Sequence, residues 1–254
     1  MNTCLVAVKK VINPYAKIKI KADLSGVDNT DMRFVINPFD NVALENAVNL
    51  KQSGDINTVT AISIGPDCQD ILRQALAKGA DRAIWIKTEL SLSPLNIAKI
   101  LQSITLDQKY NLVFLGKQAI DDDCNQTGQM LAGLLNWPQS CFTSQIKFND
   151  SNSVYVEREL DHGIEAVNIQ LPAVITFELS PDEPAKISLP QLMQAKKKPL
   201  DLLELEQLAV YPELNSQQVV INKVCAPPTK PSGIQLNTAQ ELVDRLINQD
   251  AIFG

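Results

Sequence analysis

Short apolar runs punctuate the first half of the chain, and stretches with helical spacing separate them. Residues 4–8 (CLVAV), 58–64 (TVTAISI), 83–87 (AIWIK) and 110–115 (YNLVFL) are the runs, and continuous apolar segments of this length suit strands covered on both faces. Between them, Leu44, Ala47, Val48 and Lys51 fall on one helical face. A helix is predicted over 67–78, with Gly79 as its left-handed C-cap. Ser93-Pro94 opens another through Ile97, Ile100, Leu101 and Ile104, and Met130, Leu131, Leu134 and Leu135 mark a fourth that ends at Trp137-Pro138. Asn37 suits the N-cap of the first helix and Pro38 its first position, where a missing N–H costs nothing. Residues 17–21 (KIKIK) alternate with period two and predict a half-exposed strand. Strand and helix alternate to about residue 137, which predicts an α/β fold: a mostly parallel sheet, Rossmann-like or flavodoxin-like, with helices on both faces.

The character changes after Pro138. Residues 144–148, 154–160, 165–171 and 173–177 are short runs parted by turn signals at Asn149-Asp150 and Asp161-His162-Gly163. They read as antiparallel strands, a β-hairpin extension of the core. From residue 181 onward prolines recur (184, 190, 199, 212, 227, 228, 231) and periodicity fades, as in an arm laid along its own core or a partner. Thr238 with Glu241 forms a capping-box pattern before Leu242, Val243, Leu246 and Ile247, predicting a final helix. The division expected is a core over 1–185, with its antiparallel extension from about 140, and an arm over 186–254.

Charge and composition narrow the function classes. The 254 residues carry a net charge of −6, unlike a nucleic-acid binder with its basic face. No apolar run approaches the ~18 residues of a membrane span. The N-terminus, MNTCLVAVKKV, enters a strand at once and resembles neither a signal nor a transit peptide. Five cysteines at 4, 68, 124, 141 and 225 lack paired spacing and read as reduced cytosolic thiols. His162 is the only histidine, so no multi-histidine metal site is expected and no metal is assigned. GxGxxG, GxxxxGK[ST] and GxSxG are all absent from the sequence.

Two stretches carry candidate chemistry. Residues 116–129 read GKQAIDDDCNQTGQ and join a strand end to a helix start. In an open parallel sheet ligands bind at the carboxyl ends of the strands, and a helix start there offers N–H groups and a positive dipole end to an anion. Asn125, Gln126 and Thr127 stand where that first turn begins, which makes the stretch either a nucleotide phosphate site or a capped helix entry with a solvated acidic loop. Asp121, Asp122 and Asp123 suit a cation, ribose hydroxyls or loop ordering; three carboxylates beside a phosphate repel it, so some must point elsewhere. The second stretch, LPQLMQAKKKP over 189–199, sets Leu and Met beside three lysines. It is either a solvated face or an apolar anchor with steering charges for an acidic partner.

Four segments together resemble the β subunit of electron transfer flavoprotein: INPFDNVALENAV, ALAKGADRAI, FLGKQAIDDDCNQTGQMLAGLLNWPQ and LPQLMQAKKKP. The likeness spans residues 4 to about 200 in the family's order and spacing, and weakens beyond. It implies a bacterial cytoplasmic αβ heterodimer with one FAD, held mainly by the α subunit, and one structural AMP in this chain. It further implies an electron shuttle, without catalytic residues of its own, from acyl-CoA and related dehydrogenases to a membrane electron transfer flavoprotein:quinone oxidoreductase. Carried onto this sequence, the AMP site comprises Ala7, Asn37, Pro38, Phe39, Asp40, Ile64, Gly116, Lys117, Gln118, Ala119, Ile120, Asp121, Asp122, Asp123, Asn125, Gln126 and Thr127. Glu159 and Tyr15 match the interface with the flavin-bearing domain. Leu189 matches the partner-recognition leucine, with Pro190, Met193, Lys196, Lys197 and Lys198 beside it.

The chain departs from the family pattern in three places. Gln194 replaces a docking lysine, Asn13-Pro14-Tyr15 replaces an aspartate-tyrosine pair, and His162 replaces the first glycine of a turn. An electron-bifurcating relative with a second FAD in place of AMP is one alternative. An adenylating enzyme of the same sheet architecture is another, although its pyrophosphate loop would need Gly or Ser where residues 9–14 read KKVINP. A stand-alone nucleotide-binding module is a third, and it has little need of so long an arm.

Overall fold

The computed structural model describes residues 2–180, 185–214, 221–230 and 232–249; Pro184 and Pro231 of the proline-rich arm lie outside them. The chain opens with β1 (Thr3–Ala7), then β2 (Lys10–Ile12) and β3 (Phe34–Ile36), which pair antiparallel as a small ribbon. There follow α1 (Pro38–Gln52), β4 (Thr58–Ile64), α2 (Gln69–Lys78), β5 (Arg82–Lys87), α3 (Pro94–Asp107), β6 (Leu112–Gly116) and α4 (Thr127–Leu135). Then come β7 (Gln139–Asp150), β8 (Ser153–Leu160), β9 (Gly163–Gln170), β10 (Ala173–Phe177), α5 (Leu189–Ala195) and β11 (Leu200–Glu204).

Among the described residues the strands form a nine-stranded sheet in the order β11-β5-β4-β1-β6-β10-β7-β8-β9. Pairing is parallel from β11 through β7 and antiparallel only in β7-β8-β9. The fold is therefore the mixed α/β architecture that the alternating pattern predicts. Side chains of β1 divide between two apolar layers, as the strand period of two requires. Cys4 and Val6 pack with Ala43, Leu44 and Ala47 of α1 and Ile71 and Leu72 of α2. Leu5 packs on the other side with Ala98, Ile100 and Leu101 of α3 and Leu131 of α4. A fully buried Leu or Ile of this kind contributes about 1.5–3 kcal/mol.

Three local readings are corrected. Residues 173–177 do not form an antiparallel strand: β10 runs parallel between β6 and β7, with all five residues buried. The unbroken apolar run AVITF is the mark of a strand covered on both faces. Residues 17–21 make no strand beyond one bridge between Ile20 and Val27, because alternation alone supplies no partner ladder. Asn37 is the N-cap of α1 by position, but its side chain makes no capping hydrogen bond.

Residues 18–28, with the described residues among 221–249, separate from the rest as a second unit. Within it, Val224 N–H donates to Leu24 O at 2.9 Å, and α6 (Ala239–Asp244) begins as the capping pattern predicts. Thr238 Oγ1 accepts Glu241 N–H at 3.1 Å, and a Glu241 carboxylate oxygen accepts Asn237 N–H at 2.9 Å.

Candidate functional site

The chain passes from β1 outward to β4 and β5, then returns to place β6 on the other side of β1. That reversal opens a crevice at the carboxyl ends of β1 and β6, where open α/β sheets hold ligands. Ala7, Ile64 and Gly116 stand at the ends of β1, β4 and β6, three adjacent strands. α1 starts beside them with Asn37, Pro38, Phe39 and Asp40, and α4 starts at Thr127, after Asn125 and Gln126. Residues far apart in sequence thus share one sheet edge.

Buried side chains fasten this edge. Asp40 reaches both strands: Oδ2 accepts Lys9 N–H at 2.8 Å and Oδ1 accepts Gly116 N–H at 2.9 Å. Burial pushes its carboxyl up to about 7, against the two amides and Asn37, which favour the ionised form. Gly116 has no room for a side chain, since a Cβ there would lie 2.4 Å from Phe39 Cβ and 2.6 Å from Asp40 Oδ1. Fully buried Asn37 holds the loop: Nδ2 donates to Gln118 O at 2.8 Å and Oδ1 accepts Ile120 N–H at 3.2 Å. Its carboxamide therefore orders residues 118–120 instead of capping its own helix.

The acidic run is partly neutralised by Lys9. Lys9 Nζ donates to Asp121 Oδ1 at 2.8 Å and to Asp122 Oδ2 at 2.9 Å. Burial works against the Lys9 charge, yet the two carboxylates raise its pKa above the ordinary lysine value. Burial likewise resists ionisation of Asp122, and hydrogen bonding to Lys9 still holds it low. Asp123 and Asn125 take left-handed backbone at φ 49° and 48°, a conformation that Asp and Asn tolerate better than bulkier residues. Asp123 Oδ1 accepts from the Gln118 amide at 2.8 Å, so this carboxylate also turns back into the loop.

The start of α4 suits an anionic ligand. α4 starts without a side-chain cap and without an acid in its first turn, which leaves the positive end of the helix for an anion. Gly128 permits close approach, since a Cβ there would lie 2.4 Å from Thr176 Cγ2 of β10. Gln129 Nε2 donates to Asn125 Oδ1 at 2.7 Å, while Gln129 Oε1 is buried without a hydrogen-bond partner among the described residues. An orphaned acceptor beside an uncapped helix start fits a ligand that brings both an anion and a donor.

The sequence left three supports unread: Lys9, the aromatic surroundings of Lys117, and Arg73. Lys117 Nζ lies between the Phe39 and Phe142 rings, 5.4 and 5.5 Å from their centroids, and pairs with Glu178 at 2.6 Å. Phe142 sits at φ 61°, at a bulge of β7. No local pattern announces contacts across such sequence separations.

The other candidate residues lie apart from this crevice. Tyr15 is 95% exposed on a turn, and Glu159 faces solvent near the tip of the β8–β9 hairpin, opposite Ile164. Leu189 and Pro190 open α5, whose Leu189, Leu192 and Met193 are exposed. Lys196 and Lys197 are exposed as well, whereas Lys198 turns inward, donating to Leu76 O at 3.0 Å and Ala80 O at 2.7 Å at the end of α2. Arg73 of α2 ties down the same corner, its Nη1 donating to Ala195 O and Lys198 O at 2.8 and 2.9 Å.

Fold and strand order together define a doubly wound α/β protein with a switch point between β1 and β6. The comparisons carry this further. The family model for the electron transfer flavoprotein domain matches residues 26–208. The mitochondrial electron transfer flavoprotein subunit beta of Arabidopsis thaliana is 45% identical over 96% of this chain and 97% of its own length. The mouse electron transfer flavoprotein subunit beta is 44% identical over 95% of each chain, and a probable counterpart in Saccharomyces cerevisiae is 42% identical over 98% of this chain and 97% of its own. The chain belongs to the electron transfer flavoprotein β-subunit family, and its function is electron transfer. The relatives also correct the compartment. Those of Arabidopsis and rice are mitochondrial by name, which overturns the expected bacterial cytoplasm. Scattered free thiols, on which that expectation partly rested, suit more than one reducing compartment.

Proposed function

We propose that the chain is the β component of an αβ electron carrier, with AMP seated in the switch-point crevice as a structural ligand. The observation that carries the AMP assignment is the uncapped start of α4 beside the unpartnered Gln129 Oε1. In this reading Asn37 and Asp40 order the crevice, and Asn125 to Thr127 hold the phosphate. The ligand undergoes no chemistry. FAD, held mainly by the α subunit, supplies the one- and two-electron chemistry when bound, and exposed Tyr15 and Glu159 face the flavin-bearing domain. Acyl-CoA and related dehydrogenases deliver electrons at the α5 surface, and a membrane quinone oxidoreductase accepts them. The test is co-expression with an α subunit, followed by counting nucleotides in the purified complex. One flavin and one AMP per heterodimer, with the flavin reduced by an acyl-CoA dehydrogenase, is the expected result. Two flavins and no AMP would instead indicate the bifurcating type, and a complex without flavin would end the carrier reading.

A further inference from the structure

Beside α5 lies a groove of about 540 Å³ that no part of the nucleotide site uses. Such a volume falls within the ~300–1,000 Å³ of pockets that hold ligand-sized groups. Met32 and Phe34 form one wall, α2 another, and Leu192 of α5 the third, with buried Ile71 on the inner side. The walls are pinned before any partner arrives. Lys10 Nζ lies 4.7 Å from the Phe34 ring centroid and pairs with Asp67 at 2.7 Å. Arg73 is committed to the carbonyls at the end of α5. A preformed groove keeps its shape at little entropic cost on binding.

The charges left over have one predominant sign. Arg33, at the rim, and Lys196 and Lys197, just past α5, are exposed and make no ion pair among the described residues. Asp70 is the opposing acid on this face. A cationic surplus on a chain of net charge −6, around a groove that sets Met32, Phe34 and Leu192 among charged side chains and borders the helix that carries exposed Leu189 and Met193, fits a partner with an apolar anchor flanked by carboxylates.

We propose that this groove is a second anchoring point for the electron-donating dehydrogenase: an apolar side chain of the donor seats against Met32, Phe34 and Leu192, and a neighbouring carboxylate pairs with Arg33. The inference rests on the donor docking at α5. It differs from that reading in running the contact in reverse, with the β chain supplying a socket as well as the knob of Leu189.

The test uses the intact αβ complex and follows flavin reduction by an acyl-CoA dehydrogenase. Arg33→Glu and Met32→Trp, the one reversing the rim charge and the other filling the groove, are each expected to raise the KM for the dehydrogenase about tenfold with kcat unchanged. Flavin content and chemical reduction by dithionite serve as controls for folding and should not change. If Leu189→Ala raises KM and the groove variants do not, the groove is no anchoring point while docking at α5 stands. If Leu189→Ala is also silent, docking at α5 fails and the groove with it. Groove variants that slow reoxidation by the acceptor, and leave reduction untouched, would overturn the assignment to the donor.

Discussion

Asp40 and Gly116 are joined across the switch point of the sheet: the carboxylate at the start of α1 accepts the amide at the end of β6 at 2.9 Å. Its other oxygen takes the Lys9 amide just past β1. One buried side chain thus sets the spacing of the two strands whose ends form the crevice. A pH dependence follows. The folded carboxyl titrates near 7 because of burial, well above its ordinary value of 3.8. Between about pH 4 and 7 the folded state therefore keeps a proton that the unfolded chain releases, and linkage makes stability fall as pH rises through that window. Asp40→Asn should flatten this part of the stability-pH profile. It should also cost about 1–3 kcal/mol at pH 8, where the ionised carboxylate accepts both N–H donors and the NH2 of an amide would oppose one of them. Urea unfolding at several pH values checks both, and a variant that keeps the wild-type slope would contradict the titration.

Gly116→Ala should be among the costliest single-methyl additions in the chain. The new Cβ would meet Phe39 Cβ at 2.4 Å, Asp40 Oδ1 at 2.6 Å and Asp40 N at 2.7 Å, all in the first turn of α1, and Phe39 Cβ and Asp40 N cannot move without its backbone. Overpacking of this kind costs about 1–3 kcal/mol. Nucleotide retention should fall with it. Full AMP occupancy at wild-type stability would show that α1 can shift freely.

The Lys117 ammonium is held by the Glu178 carboxylate and by two rings. Lys117→Ala should destabilise more than Glu178→Gln, since it removes stem packing and leaves a largely buried carboxylate unpaired. Losses of about 1–3 kcal/mol and about 1 kcal/mol are expected. Thermal melts of both variants decide it, and the reverse order would show that Glu178 acts chiefly through a partner other than Lys117, such as the Leu179 N–H that its Oε1 accepts.

The three lysines after α5 should separate in function. Lys196→Glu and Lys197→Glu are expected to slow donor-driven flavin reduction at low salt and to weaken its ionic-strength dependence. Lys198→Met should leave that dependence intact and instead loosen the α2–α5 corner, because its ammonium caps the carbonyls of Leu76 and Ala80. Stopped-flow reduction across a salt series, with melts alongside, distinguishes the two. Equal kinetic effects from all three would refute the division.

Much of this was legible because the period of the apolar pattern carries it. The ends of β1, β4 and β6 and the starts of α1 and α4 can be read from runs, prolines and caps, and so the crevice can be outlined from the sequence. What escaped depends on partners distant in the chain. Lys9 looks like a surface lysine until the fold brings Asp121, 112 residues away, to within 2.8 Å. Asn37 looks like an ordinary cap, and only the tertiary structure shows its carboxamide serving residues 118–120. Residues 17–21 show the opposite failure, a clean alternation with no neighbouring strand to pair with. The run AVITF was misread in direction alone, although its unbroken apolar character already distinguished it from the alternating strands before it.

The position of β10 has a consequence for how the chain comes together. A strand from residues 173–177 completes the sheet between β6 and β7, so as the chain emerges from the ribosome both of those strands wait with open edges until the β8–β9 hairpin has been made. Non-local closure of this kind is slow, and exposed strand edges invite pairing with other chains. A nascent chain stalled before residue 173 would carry nearly all of its crevice residues and still lack the strand that holds the two halves of its sheet together.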